Sequence, residues 1–260
     1  MTPAADPLAP NARAVGRSLR IYHAPGRAPQ LDAFYRRFLA PGDLAFDIGA
    51  HAGDRTASFC RLGARVVAVE PQPAMARLLA RLFARTPQIT RIPALVGASP
   101  GHAPLFVNAR NPTISTASQA FIAATDGAPG WQGQAWDHEI SRPVTTLDAL
   151  AATHGRPDFI KIDVEGYEAE ALRGLSFAPR ALSFEFTTIQ RALAGECLAL
   201  LSILGYRAFN ASLGESLEFT HPAPIGADAM ARFLNALPHA ANSGDIYASN
   251  EVGRLSQGKR

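Results

Sequence analysis

The chain has 260 residues, 47% of them hydrophobic, and 25 basic against 22 acidic side chains give a net charge of +3. That length allows one large domain or two small ones with a sizeable core, and no run of about 18 apolar residues marks a membrane-spanning helix. The arginines are scattered rather than clustered, so no nucleic-acid partner is expected, and Cys60 and Cys197 sit in apolar helical patterns that read as free thiols in a reducing, cytoplasmic setting.

Residues 1–29 read as a loosely ordered N-terminal arm. Pro3, Pro7 and Pro10 interrupt its start, no secretory-type apolar stretch follows, and Ile21-Tyr22 is an isolated edge element. Residues 30–39 predict a helix, with Leu31, Phe34, Tyr35 and Phe38 on one face. Pro41-Gly42-Asp43 ends it. Residues 44–48 then form a short apolar strand around one carboxylate, Asp47, followed by a glycine turn from Gly49 to Gly53 and a helix over 53–62. Residues 65–69 are β-branched and apolar, a second buried strand that ends in Glu70-Pro71. Met75, Leu78, Leu79, Leu82 and Phe83 fall on one helical face, and residues 92–98 predict a third strand. Alternating strands and helices of this kind predict a parallel sheet with right-handed crossovers.

The rhythm breaks over residues 99–141. A strand at 105–107 leads into a polar stretch over 111–116, then a glycine-rich segment with Trp131 and Trp136. Such an irregular insert suits a substrate pocket or lid, and equally a surface loop whose tryptophans pack back on the body. Residues 144–150 run from strand into helix. A fourth strand follows at 158–162, a helix at 168–175, a fifth strand at 181–186 and a helix at 189–204. Late strands are expected at 206–210, 217–219 and 245–248, with a helix at 227–237 and a tail at 251–260. The absence of a convincing linker makes residues 30–250 one domain.

The opening strand, turn and helix make a nucleotide-binding unit. The turn, Gly49-Ala50-His51-Ala52-Gly53, lacks the Gly-x-Gly-x-x-Gly spacing that admits a pyrophosphate, and Asp47 ahead of it would repel one. The same carboxylate would attract an ammonium group. Thr56 falls in the first turn of the next helix, and Glu70, at the end of the second strand, stands where a carboxylate takes ribose hydroxyls. A donor with a cationic amino-acid tail and a ribose, S-adenosylmethionine, fits these residues better than a nicotinamide dinucleotide.

The segments Phe-Asp-Ile-Gly-Ala-His-Ala-Gly (46–53), Val-Ala-Val-Glu-Pro (67–71), Thr-Thr-Leu-Asp-Ala-Leu (145–150) and Ile-Lys-Ile-Asp-Val-Glu-Gly-Tyr-Glu (160–168) resemble the FkbM-type methyltransferases. The resemblance runs from about Leu31 to about Ala248. It implies a class I methyltransferase fold, a Rossmann-like α/β architecture with a mostly parallel seven-stranded sheet and helices on both faces. It also implies S-adenosylmethionine as donor and O-methylation of a hydroxylated small molecule, natural product or sugar. Carried onto this chain, Asp47, Gly49, Ala50, His51, Gly53, Thr56, Glu70, Pro71 and Asp163 would line the donor site.

Asp163 and Glu165 close the fourth strand, where open α/β sheets bind ligands. One of them is a general base for the acceptor hydroxyl, both hold a divalent cation, or they cap the helix that follows. His51 and His138 are the histidine candidates for a base. Two other readings stand beside methyl transfer: a nicotinamide-dependent oxidoreductase and a non-catalytic nucleotide-binding module. The methyl acceptor has no signature in the sequence.

Overall fold

A computed structural model describes residues 12–257, so residues 1–11 of the expected arm and 258–260 of the expected tail lie outside the described residues. The chain opens with helices α1 (Ala12–Tyr22) and α2 (Arg27–Tyr35), then strand β1 (Leu44–Ile48), α3 (Asp54–Arg61), β2 (Arg65–Val69), α4 (Pro73–Leu82) and β3 (Ile89–Ile92). The short β4 (Leu95–Val96), β5 (Gly101–Val107), α5 (Gln119–Thr125) and β6 (His138–Thr145) come next. After α6 (Leu147–His154) run β7 (Phe159–Ile162), α7 (Glu168–Arg173), β8 (Ala181–Thr187), α8 (Arg191–Ile203), β9 (Ala208–Leu213), α9 (Ala227–Ala236) and β10 (Ser243–Ser249).

Seven strands form one sheet in the order β3-β2-β1-β7-β8-β10-β9, in which β10 runs antiparallel to both neighbours. This is the expected mostly parallel α/β sheet. The chain winds outward from β1 to β3, then crosses back to β7 on the other side of β1. That reversal leaves a crevice beyond the carboxyl ends of β1 and β7, the place where open α/β sheets bind ligands.

Alternation along the strands decides what faces the crevice's floor. Phe46, Ile48, Ile160, Ile162, Leu182 and Phe184 join a core with α6, α7, α8 and α9. Ala45, Phe159, Ala181 and Tyr247 point to the opposite face, into an aromatic core with Phe34 and Tyr35 of α2, Phe38, and Phe59 of α3. Asp47, Lys161, Asp163, Ser183, Glu185 and Asp245 share that second register. Every strand residue with charge near the crevice therefore lies on one side of the sheet.

Several expectations are corrected. Residues 12–29 are not a loose arm: they carry α1 and the start of α2, and Ile21-Tyr22 ends a helix instead of forming an edge strand. The buried face of α1 is Ala14 and Ser18, small residues that give no hydrophobic periodicity. The helix expected at 30–39 starts earlier and stops at Tyr35, while Phe38 continues beyond it, stacked between Phe159 at 4.9 Å and Tyr247 at 5.3 Å. The third strand, expected at 92–98, is split. Pro93 cannot donate to a ladder, so β3 ends at Ile92 and Leu95–Val96 pairs instead with β6. No strand forms at 217–219, because the outer side of β9 is taken by Thr220 and Ile225 and Leu217 has a positive φ of 53°.

The segment 99–141 is more regular than expected. It builds a second sheet, β4-β6-β5, with α5 alongside. Trp131 and Trp136 pack edge-on against the buried Phe121 at 5.4 and 6.3 Å, and the Trp136 indole N–H donates to the Ile114 carbonyl at 2.8 Å. The tryptophans brace the insert.

Candidate active site

The crevice holds about 900 Å3 of space between its walls, counting the open solvent at its mouth. Its lining brings together Asp47, Gly49, Ala50, His51, Glu70, Pro71, Asp163 and Glu165, residues far apart in the sequence. Gly53, Thr56 and His138 lie outside it.

Each of those three has another position. Gly53 adopts a φ of 78° at the start of α3, and a Cβ there would come within 2.7 Å of Leu79 and Phe83; its smallness serves the packing of α4. Thr56 acts one step removed. Fully buried in α3, its hydroxyl donates a short hydrogen bond to Asp47 Oδ2 and so orients that carboxylate. His138 sits in β6 opposite Val107, on the second sheet, and contributes nothing to the cavity lining.

One half of the crevice is built on β1 and β2. Asp47 is 2% exposed, and burial pushes its carboxyl up to about 6 against the lowering effect of Thr56 and Arg55. Glu70 Oε2 accepts the His51 N–H at 2.9 Å, and Oε1 accepts the Gln72 N–H at 2.8 Å. Burial pushes this carboxyl up to about 7, the two backbone donors opposing. The glycine turn is thus tied to the end of β2 through Glu70, while the Gly49 and Ala50 N–H groups both donate to the Val69 carbonyl. Gly49, at φ 81°, allows the turn to lie against the end of β7: a Cβ would fall 1.7 Å from the Asp163 carbonyl oxygen. His51 has a positive φ of 44° and packs edge-on against Tyr22 of α1 at 5.2 Å. Burial pushes its imidazole down to about 4, so it is neutral at physiological pH and a weak base.

Helix α1 covers this half. Tyr22 lines the cavity beside Thr113, and burial together with Asp163 and Glu215 raises its pKa. A chain of ion pairs anchors the start of α2 beside it. Arg27 meets Asp54 at 2.8 Å and Glu215 at 2.9 Å, and the buried Arg55 meets Asp54 at 3.3 Å and Glu215 at 3.0 Å.

The other half is built on β7, β8 and β10. Lys161 is fully buried, with its Nζ 3.0 Å from Asp163 Oδ2 and 2.8 Å from Asp245 Oδ1. Burial works against its charge, but the two aspartates hold its pKa above the usual lysine range. Burial also opposes ionisation of Asp163, yet Lys161 and Arg55 keep that carboxyl below its ordinary value. Asp245 goes the other way, because its burial outweighs the same lysine. Glu165 and Glu185 are pushed well up, first by burial and then by Asp163. Oxygens of Asp163, Glu165 and Glu185 all lie within 4.8 Å of one another. Glu168 stands behind them and caps the turn, accepting the Val164 N–H at 3.1 Å and the Gly166 N–H at 3.2 Å.

Sequence reasoning missed Tyr22, Arg55, Lys161, Glu185 and Glu215. Lys161 had a readable signal: a lysine in the middle of a buried strand, two residues from an aspartate and so on its face. Glu185 had the same one, a carboxylate alternating with apolar residues in a central strand. Tyr22 and Glu215 reach the cavity only through tertiary packing.

The strand order, the crevice at the reversal point and the carboxylates at the ends of β1 and β2 define a class I methyltransferase. A family model described as the methyltransferase FkbM domain matches residues 47–208. The chain belongs to the FkbM methyltransferase family. Among solved structures it is similar to a TehB-like SAM-dependent methyltransferase from Corynebacterium glutamicum, at 12% identity and a TM-score of 0.47 over 92% of this chain and 97% of that one. Precorrin-6y C5,15-methyltransferase from Geobacter metallireducens gives 12% identity and a TM-score of 0.43 over 85% and 86%. Fibrillarin from Aeropyrum pernix, with natively bound S-adenosyl-L-methionine, gives 13% and 0.39 over 80% and 67%. No curated protein matches the sequence. Among the described residues no helix is long and apolar enough to cross a membrane.

Proposed function

We propose that this methyltransferase moves a methyl group from S-adenosylmethionine to a hydroxyl of a small molecule, natural product or sugar. The observation that carries the reading is one cavity with two buried carboxylates, Asp47 and Glu70, at the ends of adjacent parallel strands. An ammonium group suits Asp47, whose second oxygen is left over by Thr56. A vicinal diol suits Glu70: each of its oxygens takes one backbone N–H and keeps a lone pair for another donor. The donor, when bound, supplies a methyl group already activated by a sulfonium charge.

The chain's own part is to position the acceptor and take its proton. In-line displacement depends heavily on alignment, and an alcohol must also lose its hydrogen. Asp163, Glu165 and Glu185 face the same space and accept that hydrogen bond, while Lys161 fixes Asp163 from behind. A pyrophosphate-bearing cofactor suits this lining poorly, since its carboxylates surround a single arginine, Arg55, already engaged by Asp54 and Glu215. Both cysteines are free, in keeping with a reducing cytoplasm.

The test is incubation with methyl-labelled S-adenosylmethionine and a panel of hydroxylated acceptors. Label should appear in an O-methyl ether, and Asp163→Asn should cut turnover by about 10²-fold while the fold persists. Transfer to amines alone would overturn the O-methylation reading.

A further inference from the structure

We propose that Asp163, Glu165 and Glu185 form a binding site for one hard divalent cation of the magnesium, manganese or calcium class. Their carboxylate oxygens lie within 4.8 Å of one another, a separation from which small side-chain rotations bring all three onto a single ion at about 2.0–2.6 Å. Oxygen-only ligands select this class over zinc or copper.

Three carboxylates alone would not make a site. The second observation is how their surroundings leave them. Glu165 is only 8% exposed, yet its carboxylate has no hydrogen-bond donor among the described residues, although its main-chain carbonyl accepts the Thr116 hydroxyl at 2.6 Å. On the far side of Glu185, a small cavity is lined by Thr187 and Gln190 together with Glu168. Thr187 is 8% exposed, and neither its hydroxyl oxygen nor Gln190 Oε1 has a partner. A carboxylate as buried as that of Glu165 and without a donor is rare in folded proteins, and it marks a missing ligand.

The charge balance points the same way. Lys161 is the lysine beside this cluster, and its ammonium is divided between Asp163 Oδ2 and Asp245 Oδ1. That leaves Asp163 Oδ1 for the cluster. Arg55 is taken by Asp54 and Glu215, and Glu168 by two backbone N–H groups. The cation that acts on Glu165 and Glu185 is this same Lys161, already divided between two aspartates. A basic side chain of a substrate would bring one charge and at most three donors; a divalent ion brings two charges at the centre of three converging oxygens. The site opens on the same cavity as Asp47 and Glu70, so an ion there would face the acceptor's side. The inference does not rest on methyl transfer.

The test is Mn2+ binding to the full chain, followed by calorimetry and by electron paramagnetic resonance, with Mg2+ and Ca2+ as competitors. One Mn2+ per chain is expected, displaced by Mg2+ or Ca2+. Glu165→Gln and Glu185→Gln should each weaken it by at least about tenfold. S-adenosylhomocysteine titrated into the same samples keeps the two proposals apart, because its failure to bind would sink the donor reading and leave cation binding standing. Wild-type protein that takes up no Mn2+ at millimolar concentration overturns the site, whether or not the variants fold. So does stoichiometric binding that both substitutions leave unchanged.

Discussion

Replacing Lys161 by methionine removes one ammonium from between two carboxylates and keeps the volume of the stem. Lys161 is 0% exposed and reaches Asp163 and Asp245 at 3.0 and 2.8 Å. Breaking a buried pair from one side typically costs about 3–5 kcal/mol, because the partner is left as an uncompensated charge. Two partners put the variant at the upper end, about 5 kcal/mol, which would take much of the ~5–15 kcal/mol that holds an ordinary domain together. The deficit has a pH signature. In the variant both aspartates lose the cation that favoured their ionised forms, so the folded pKa of Asp163 rises above its unfolded value and that of Asp245, already raised by burial, climbs further. Groups shifted that way destabilise at neutral pH and are relieved as pH falls through the raised values. Urea unfolding at pH 8 and pH 5.5 should therefore show a gap between wild type and Lys161→Met that narrows on acidification. Adding Asp245→Asn should recover part of the loss at pH 8. A deficit under about 1 kcal/mol, or one that widens at low pH, would refute the argument that this lysine is held by charge.

Glu70→Gln keeps the shape but turns an NH2 group toward one of the two backbone donors, His51 N or Gln72 N. Loss of charge-assisted bonds worth about 1.5–3 kcal/mol should weaken S-adenosylhomocysteine by roughly 10–150-fold, read by calorimetry. Donor-product affinity should also fall as pH drops below about 7 and then about 6, where Glu70 and Asp47 take up protons. For the ligand-free protein these same raised values mean that the folded state binds more protons than the unfolded one between about pH 4 and 7. By linkage their contribution to stability falls as pH rises through that window, and melting curves of wild type against Asp47→Asn should show it as a smaller pH slope in the variant. Gly49→Ala places a Cβ 1.7 Å from the Asp163 carbonyl and should abolish donor binding or folding, whereas Gly26→Ala, at φ 84° with open space around it, should cost only the roughly 1 kcal/mol of a left-handed residue. Equal melting losses in the two variants would contradict the close packing of the turn on β7.

The half of the crevice built on β1 and β2 was legible in the sequence because it is local. Asp47, Gly49 and Glu70 sit at a strand end, a turn and the next strand end, and each follows from hydrophobic patterning plus a glycine. The alternation of strands and helices was legible for the same reason: buried strands such as 65–69 separate cleanly from amphipathic helices such as α4. What stayed hidden depends on partners distant in sequence. Helix α1 buries alanine and serine, so no apolar stripe announces it. Pro93 breaks the third strand, and the chain's continuation is decided by β6, nearly fifty residues on. Thr56 shows the limit within the motif itself, since a residue in the right turn serves the carboxylate and not the cavity. Glu185 and Lys161 stand out in the sequence only as charges in buried strands, and their shared site forms when β8 and β10 are laid beside β7.

The most direct test of the account is titration of S-adenosylmethionine and S-adenosylhomocysteine into the full chain by calorimetry, with a nicotinamide dinucleotide run in parallel. The carboxylate pair at the ends of β1 and β2 requires one donor molecule per chain, bound by wild type and lost or strongly weakened in both Glu70→Gln and Asp47→Asn. Binding of the dinucleotide in place of the sulfonium compound, or sulfonium binding indifferent to both substitutions, would contradict it.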